Sequence, residues 1–260
     1  MINKLTDKQI NVAIQAADAA RKITLKYFRQ PLDIIQKLDD SPVTIADKEA
    51  EHLIRGMIQS AFPDDGFYGE ETGQTDTDND WTWVVDPIDG TTSFSTGKPT
   101  FGTLIALCYQ GKPQLGIVDL PALDDRWIGI KGKQTTYNGT KVKTNLRNTK
   151  LDDATAYTTT PKMFTDDTLP RYNALSDQCK FTIFGADCLA YGLLASGFTD
   201  LVIEADLKPY DFMAVTAVVE AAGGVITDWQ GKEITLKTGD QILAAANPEL
   251  HKKAIRSLAV

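Results

Sequence analysis

Trp83-Val84-Val85-Asp86-Pro87-Ile88-Asp89-Gly90-Thr91-Thr92 is the stretch on which the reading of this chain turns. An apolar run of strand character delivers two carboxylates, three residues apart, into a turn at the strand's end. Pro87 fixes one φ, and Gly90 lets the backbone come close to a ligand. Asp86 and Asp89, with Glu70 sixteen residues before the first of them, are hard oxygen donors suited to Mg²⁺ or Mn²⁺ rather than zinc. A helix starting near Gly90-Thr91-Thr92 would aim free backbone N–H groups outward and make an anion site. Asp-Pro and Asp-Gly are also ordinary turn dipeptides, and Glu70-Glu71 after Gly69 also reads as a solvated loop end. Taken singly, each motif leaves both readings open.

Upstream, Thr6-Asp7-Lys8-Gln9 fits a capping box, and Ile10, Ala13, Ile14, Ala17, Ala20 and Phe28 recur near helical spacing until Pro31. A second helix is predicted from Thr44 to Ala61, closed by Pro63. Downstream, strand signals run from Trp81 to Val85, Gly102 to Tyr109, Leu115 to Leu120 and Arg126 to Ile130. The turn Gln110-Gly111-Lys112-Pro113 makes this part mostly antiparallel. Beyond about residue 150 the pattern changes. β-type runs at 155–159, 181–184, 201–204, 225–227 and 242–245 alternate with helical stretches at 187–196, 209–222 and 248–258, which implies α/β layering. The chain therefore divides into residues 1–147, an α+β part that holds the carboxylate motifs above, and 148–260, an α/β part. The boundary falls at Arg147-Asn148-Thr149-Lys150, where a polar run ends.

The 260 residues carry 27 Lys plus Arg against 35 Asp plus Glu, a net charge of −8, with 42% hydrophobic residues. That composition supports a packed core and excludes wholesale disorder. The acidic balance argues against a nucleic-acid or anionic-membrane partner, since either wants a basic face. No apolar run approaches the roughly 20 residues of a membrane span. Met1-Ile2-Asn3-Lys4-Leu5-Thr6 lacks the build of a signal peptide. Three scattered cysteines, Cys108, Cys179 and Cys188, suggest neither a disulfide framework nor a thiolate zinc site, so reduced thiols in the cytoplasm are expected. Only His52 and His251 are present, which removes most support for Ser-His-Asp hydrolases and histidine-rich zinc sites. Catalysis falls to carboxylates, hydroxyls, lysines or a metal.

The third element is Leu207-Lys208-Pro209-Tyr210-Asp211-Phe212-Met213-Ala214, where Asp211 in a first helical turn also gains from the helix dipole. Gly69-Glu70-Glu71, then the 86–92 motif, then Asp211 to Ala214 with Gly223-Gly224 after it, together resemble the inositol monophosphatase family. Ser41-Pro42-Val43-Thr44 to Asp47 resembles that family's N-terminal loop and helix, so the likeness covers nearly the whole chain. The resemblance implies an α-β-α-β-α sandwich of the inositol monophosphatase and fructose-bisphosphatase type. It implies Mg²⁺-dependent hydrolysis of a phosphate monoester, with two or three ions per site, Mn²⁺ as a possible substitute, and a homodimer.

Carried over by position, Glu70, Asp86 and the carbonyl of Ile88 would hold one metal, and Asp86, Asp89 and Asp211 a second. Thr91 and Glu70 would orient and deprotonate water, Asp47 would support Thr91, and Glu71 would stand behind them. Asp89, Gly90, Thr91 and Thr92 would cradle the phosphate. Such hydrolysis needs charge neutralisation and in-line attack, and no histidine.

Tyr210 departs from the tryptophan common in many relatives. The stretches Thr96 to Leu107, Gly116 to Asp119 followed by Arg126-Trp127, Gly185 to Gly192 and Asp200 to Asp211 are most similar to the histidinol-phosphatase branch. By that likeness Asp187, Glu204 and Asp211 would face the substrate, the first two near the leaving group. Two carboxylates suit the ammonium and the partly protonated imidazole of histidinol phosphate. Asp187 after Gly185 reads equally as a helix cap. The alternatives are an inositol-1-monophosphatase or broad sugar-phosphate monophosphatase, and, more remotely, a non-catalytic member binding a phosphorylated ligand.

Overall fold

The computed structural model describes residues 5–31, 35–36, 42–75 and 77–259; Ser41 and the first four residues, read above, lie outside them. Helix α1 (Asp7–Tyr27) opens with the expected capping box: Thr6 Oγ1 accepts from Gln9 N–H at 3.2 Å, and Gln9 Oε1 accepts from Thr6 N–H at 2.9 Å. The short strands β1 (Ile35–Gln36) and β2 (Pro42–Val43) pair before α2 (Ile45–Ala61), which Thr44 caps. Fully buried Ala13, Ala16, Ala17 and Ala20 let α1 lie close against α2 and the sheet beneath.

That sheet has eight strands: β3 (Gly66–Gly69), β4 (Gly73–Thr75), β5 (Trp81–Asp89), β6 (Gly102–Tyr109), β7 (Lys112–Leu120), β8 (Asp125–Ile130), β9 (Thr136–Tyr137) and β10 (Thr140–Lys141). Their order is β10-β9-β8-β7-β6-β5-β3-β4, antiparallel throughout except where β3 runs parallel to β5. The five-residue helix α3 (Thr91–Ser95) leaves the end of β5. On one edge of the fold Asp119, with no exposed surface, accepts from Arg21 Nη2 at 2.6 Å and Arg126 Nε at 2.7 Å. The two guanidinium groups compensate a charge that burial alone would penalise, and they tie α1 to β7 and β8.

The second half builds a five-stranded sheet from β11 (Thr155–Thr158), β12 (Phe181–Phe184), β13 (Leu201–Glu204), β14 (Val225–Asp228) and β15 (Ile242–Ala245). Its order is β12-β11-β13-β15-β14, parallel across the first three strands and antiparallel across the rest. Helices α4 (Leu169–Ser176) and α7 (Pro248–Leu258) cover its outer face. Helices α5 (Leu189–Ala195) and α6 (Pro209–Ala221) fill the space between the two sheets. The layers are therefore α-β-α-β-α, as the resemblance implies.

Helix α6 is buried on every side along its middle, with Phe212 to Val219 all buried and Asp211 and Glu220 confined to its ends. It rests directly on β7 and β8 because those strands carry glycine beneath it. A Cβ at Gly116 would stand 2.1 Å from Ala214 O, and one at Gly129 would stand 2.4 Å from Ala217 O. This contact sets where the first turn of α6, and so Asp211, meets the end of β5.

Candidate active site

Strand β5 changes register against β6 between Asp86 and Asp89, because Pro87 has no N–H to donate. The freed groups find local partners: Ile88 N–H donates to Asp86 Oδ1 at 2.9 Å, and Thr103 Oγ1 donates to Pro87 O at 2.8 Å. The slip turns Asp86 and Asp89 toward one site. Glu70 reaches the same place at the end of a strand, where a loop was expected. Gly69 pairs with Val85, and Glu70 N–H donates to Val85 O at 3.1 Å. Asp211 arrives on the third residue of α6 and accepts from Lys208 N–H at 2.7 Å.

One oxygen each from Asp86, Asp89 and Asp211 lies within 4.8 Å of the others. Each aspartate spends an oxygen on a backbone N–H (Ile88, Cys188 and Lys208 respectively), which fixes its orientation. Asp86 is 2% exposed, with Glu70, Asp89 and Asp211 as charged neighbours. Burial first, then repulsion from Glu70 and its companions, holds the Asp86 carboxyl well above the usual range. Burial and Asp89 do the same to Asp211, while burial and Asp187 push Asp89 up to about 7. A set of hard oxygen donors, oriented and mutually repelling, fits a divalent cation such as Mg²⁺.

Around this cluster lies a cavity of about 530 Å³. Gly90, Thr91 and Thr92 line it at the start of α3. Gly90 sits at φ 78°, and a Cβ there would approach Asp187 Cγ to 2.8 Å, so both the turn and the close approach require glycine. Thr91 Oγ1 lies 3.1 Å from Ile88 O and 3.3 Å from Asp47 Oδ1. Asp47 is fully buried, and its other oxygen accepts from Thr44 N–H and Oγ1 at the cap of α2. Burial raises its pKa.

Asp187 and Glu204 both line the cavity. Asp187 does not cap α5. Its Oδ2 accepts from Ser93 Oγ and Thr100 Oγ1, both at 2.6 Å, and its backbone is left-handed at φ 49°. Glu204, 3% exposed, accepts from Thr159 N–H at 3.1 Å and Oγ1 at 2.5 Å, and from Tyr191 Oη at 2.7 Å. The hydroxyls of Ser93, Thr100, Thr159 and Tyr191 had no role in the sequence reading, since each meets its carboxylate only through the tertiary fold.

Glu51 also escaped that reading. Fully buried on α2, it accepts from Glu71 N–H at 2.8 Å and Thr72 N–H at 2.7 Å, and so anchors the turn that carries Glu70. Among the described residues that line the cavity, Lys98 is the single cation. The two histidines stand apart: His52 is exposed on α2, and His251 on α7 bonds Thr227 Oγ1 at 2.8 Å.

The model of the inositol monophosphatase family matches residues 6–259. The chain belongs to that family. Membership in the inositol monophosphatase family makes it a phosphatase acting on phosphate monoesters, and the family uses Mg²⁺ in general. Among curated relatives, the bifunctional phosphatase IMPL2, chloroplastic, of Arabidopsis thaliana is 45% identical over 98% of this chain and 78% of its own length. A histidinol-phosphatase of Chlorobaculum parvum is 36% identical over 92% of each. A solved inositol monophosphatase from Zymomonas mobilis superposes with a TM-score of 0.90 at 38% identity, over 99% of this chain and 100% of that one. No helix among the described residues is long and apolar enough to cross a membrane.

Proposed function

We propose that this phosphatase hydrolyses L-histidinol phosphate to L-histidinol and phosphate in histidine biosynthesis. The observation that carries the reading is the charge of the cavity. Asp187 and Glu204 stand beside the metal-type carboxylates, with Lys98 the one cation among the described residues that line it, a setting that favours a cationic leaving group. Likeness to the Chlorobaculum histidinol-phosphatase supports it.

In this proposal Glu70, Asp86 and the Ile88 carbonyl hold one Mg²⁺, and Asp86, Asp89 and Asp211 hold another. Bound there, the cations supply a water of lowered pKa and neutralise charge on the phosphoryl oxygens. The chain's own groups do the positioning. Thr91 and Glu70 orient the attacking water and take its proton, and Asp47 fixes the Thr91 hydroxyl from behind. The N–H groups of Gly90, Thr91 and Thr92, free at the start of α3, receive the phosphate. Asp187 and Glu204, held by their hydroxyl partners, receive the ammonium and imidazole.

We also propose a homodimer in a reducing, cytoplasmic setting. The outer edge of β12 supports the first, with Phe181 57% exposed beside Ile183 and Phe184. Three free thiols support the second.

The test is phosphate release from the purified protein with Mg²⁺ on L-histidinol phosphate and on inositol 1-phosphate, each repeated with EDTA. A large EDTA-sensitive preference for histidinol phosphate is expected. Equal or greater turnover of inositol phosphate would replace this substrate with the one named for the Zymomonas neighbour.

A further inference from the structure

A concavity larger than the one around the carboxylates is lined by other described residues. A cleft of about 1120 Å³ opens at the other end of the five-stranded sheet. The geometry points to a second anion site: we propose that Lys141, Lys143, Arg147, Lys150 and Lys180 in this cleft bind a small compound bearing several phosphate groups.

All five cations are exposed, and none forms an ion pair with a described residue. Two acids line the same cleft, Asp153 and Asp200. Asp200 is already engaged: Oδ1 accepts from Asn145 Nδ2 at 3.2 Å and Oδ2 from Thr155 N–H at 3.0 Å. A chain of net charge −8 thus gathers in one hollow five cations that have no ion-pair partner among the described residues. Their mutual repulsion is relieved when an anion sits among them.

The frame behind these side chains is built in advance. Asn247 Nδ2 donates to Asn145 O at 3.3 Å and to Asn148 O at 2.7 Å, and Lys253 Nζ donates to Thr149 O at 2.6 Å. Asn145 and Asn148 close local turns onto the N–H groups of Arg147 and Lys150, both at 3.1 Å. A segment fixed by so many contacts loses little order on binding.

The cleft shares no lining residue with the catalytic cavity. Asp200 precedes β13 and Glu204 ends it, so the two sites lie about 13 Å apart along one strand.

Charge decides between a compact ligand and a nucleic acid. Outside the cleft the surface is acidic overall, and a polymer would run onto it within a Debye length of about 10 Å. No aromatic side chain lines the cleft to stack a base. A compact polyphosphate meets only the five cations, whose donors match its oxygens.

The test titrates the metal-free protein, in EDTA, with inorganic tripolyphosphate. Without metal the catalytic carboxylates repel this probe, so saturable one-to-one binding reports the cleft. The triple variant Lys143→Gln, Arg147→Gln, Lys180→Gln is expected to weaken binding about tenfold or more, since exposed charge pairs each contribute modestly. A control of equal charge, Lys232→Gln, Lys237→Gln, Lys252→Gln, is expected to leave it unchanged. Both variants keep Mg²⁺-dependent hydrolysis of p-nitrophenyl phosphate, which certifies their folding and separates this site from the catalytic one. No saturable binding, or equal weakening in both variants, would overturn the proposal. So would tighter binding of a single-stranded oligonucleotide or of a poly-glutamate peptide.

Discussion

Substituting Asp187 by asparagine removes one charge and little else. The carboxylate accepts two hydroxyl hydrogen bonds on Oδ2, from Ser93 and Thr100, and an asparagine carbonyl oxygen in that place accepts the same two. The backbone φ of 49° is also one that asparagine tolerates. The melting temperature is therefore expected to move little. What changes is the attraction for an ammonium in the leaving-group region. Two unit charges about 4 Å apart at an effective dielectric of about 20 attract by about 4 kcal/mol, and desolvation brings a charge-assisted contact down to about 1.5–3 kcal/mol. At 1.4 kcal/mol per tenfold, KM for histidinol phosphate rises about 10- to 100-fold while kcat stays within a few-fold.

The assay is steady-state phosphate release on histidinol phosphate beside glycerol phosphate, whose leaving group is neutral. The ratio of the two KM values carries the argument. A KM that does not move, or one that rises equally for both substrates, would refute the charge reading of Asp187.

Four further outcomes follow from the same geometry. Asp89→Asn is expected to lower kcat about 10²- to 10⁴-fold, the equivalent of several kcal/mol of lost charge stabilisation, while metal-free protein melts no lower because a repelling carboxylate is gone; calorimetry with and without Mg²⁺ checks both. Mg²⁺ binding is expected to release protons near neutral pH, because Asp86, Asp89 (about 7) and Asp211 titrate high without metal, so apparent affinity climbs as pH rises through that range; titration in buffers of different ionisation enthalpy counts them. Gly116→Ala is expected to cost about 3 kcal/mol or more, since its Cβ meets the backbone of α6, and a denaturant midpoint equal to wild type would contradict that contact. Burial holds the His251 pKa below 6.5, so the unfolded chain binds the extra proton and stability falls as pH drops through 6.5 toward the folded value. His251→Gln is expected to flatten that part of the melting profile.

The large elements were legible because their signals are local. The capping box at Thr6, Pro63 after α2, the run from Trp81 into Asp86, and Pro209 opening α6 each announce an element or its end within a few residues. Strands β3 and β4 were not, since Gly66-Phe67-Tyr68-Gly69 and Gly73-Gln74-Thr75 are short and rich in glycine. Helix α4 was missed for its length, eight residues with proline in its first turn. In the site, the carboxylates were readable by residue type and order, but their supports were not. Ser93 meets Asp187 across 94 residues and Glu51 meets Thr72 across 21, distances over which one sequence carries no pairing signal.

Helix α6 has a consequence for how the molecule comes apart. It is contributed by the chain's second half, yet its backbone rests in the glycine gaps of the first half's sheet, and its other side packs toward the second sheet. With Phe212 to Val219 buried all round, it would expose a largely apolar stretch to water once either sheet lets go. Neither sheet can therefore melt by itself. The 260 residues should unfold as one cooperative unit, with a single heat-absorption peak and with hydrogen exchange in α6 slowed to the rate of global opening.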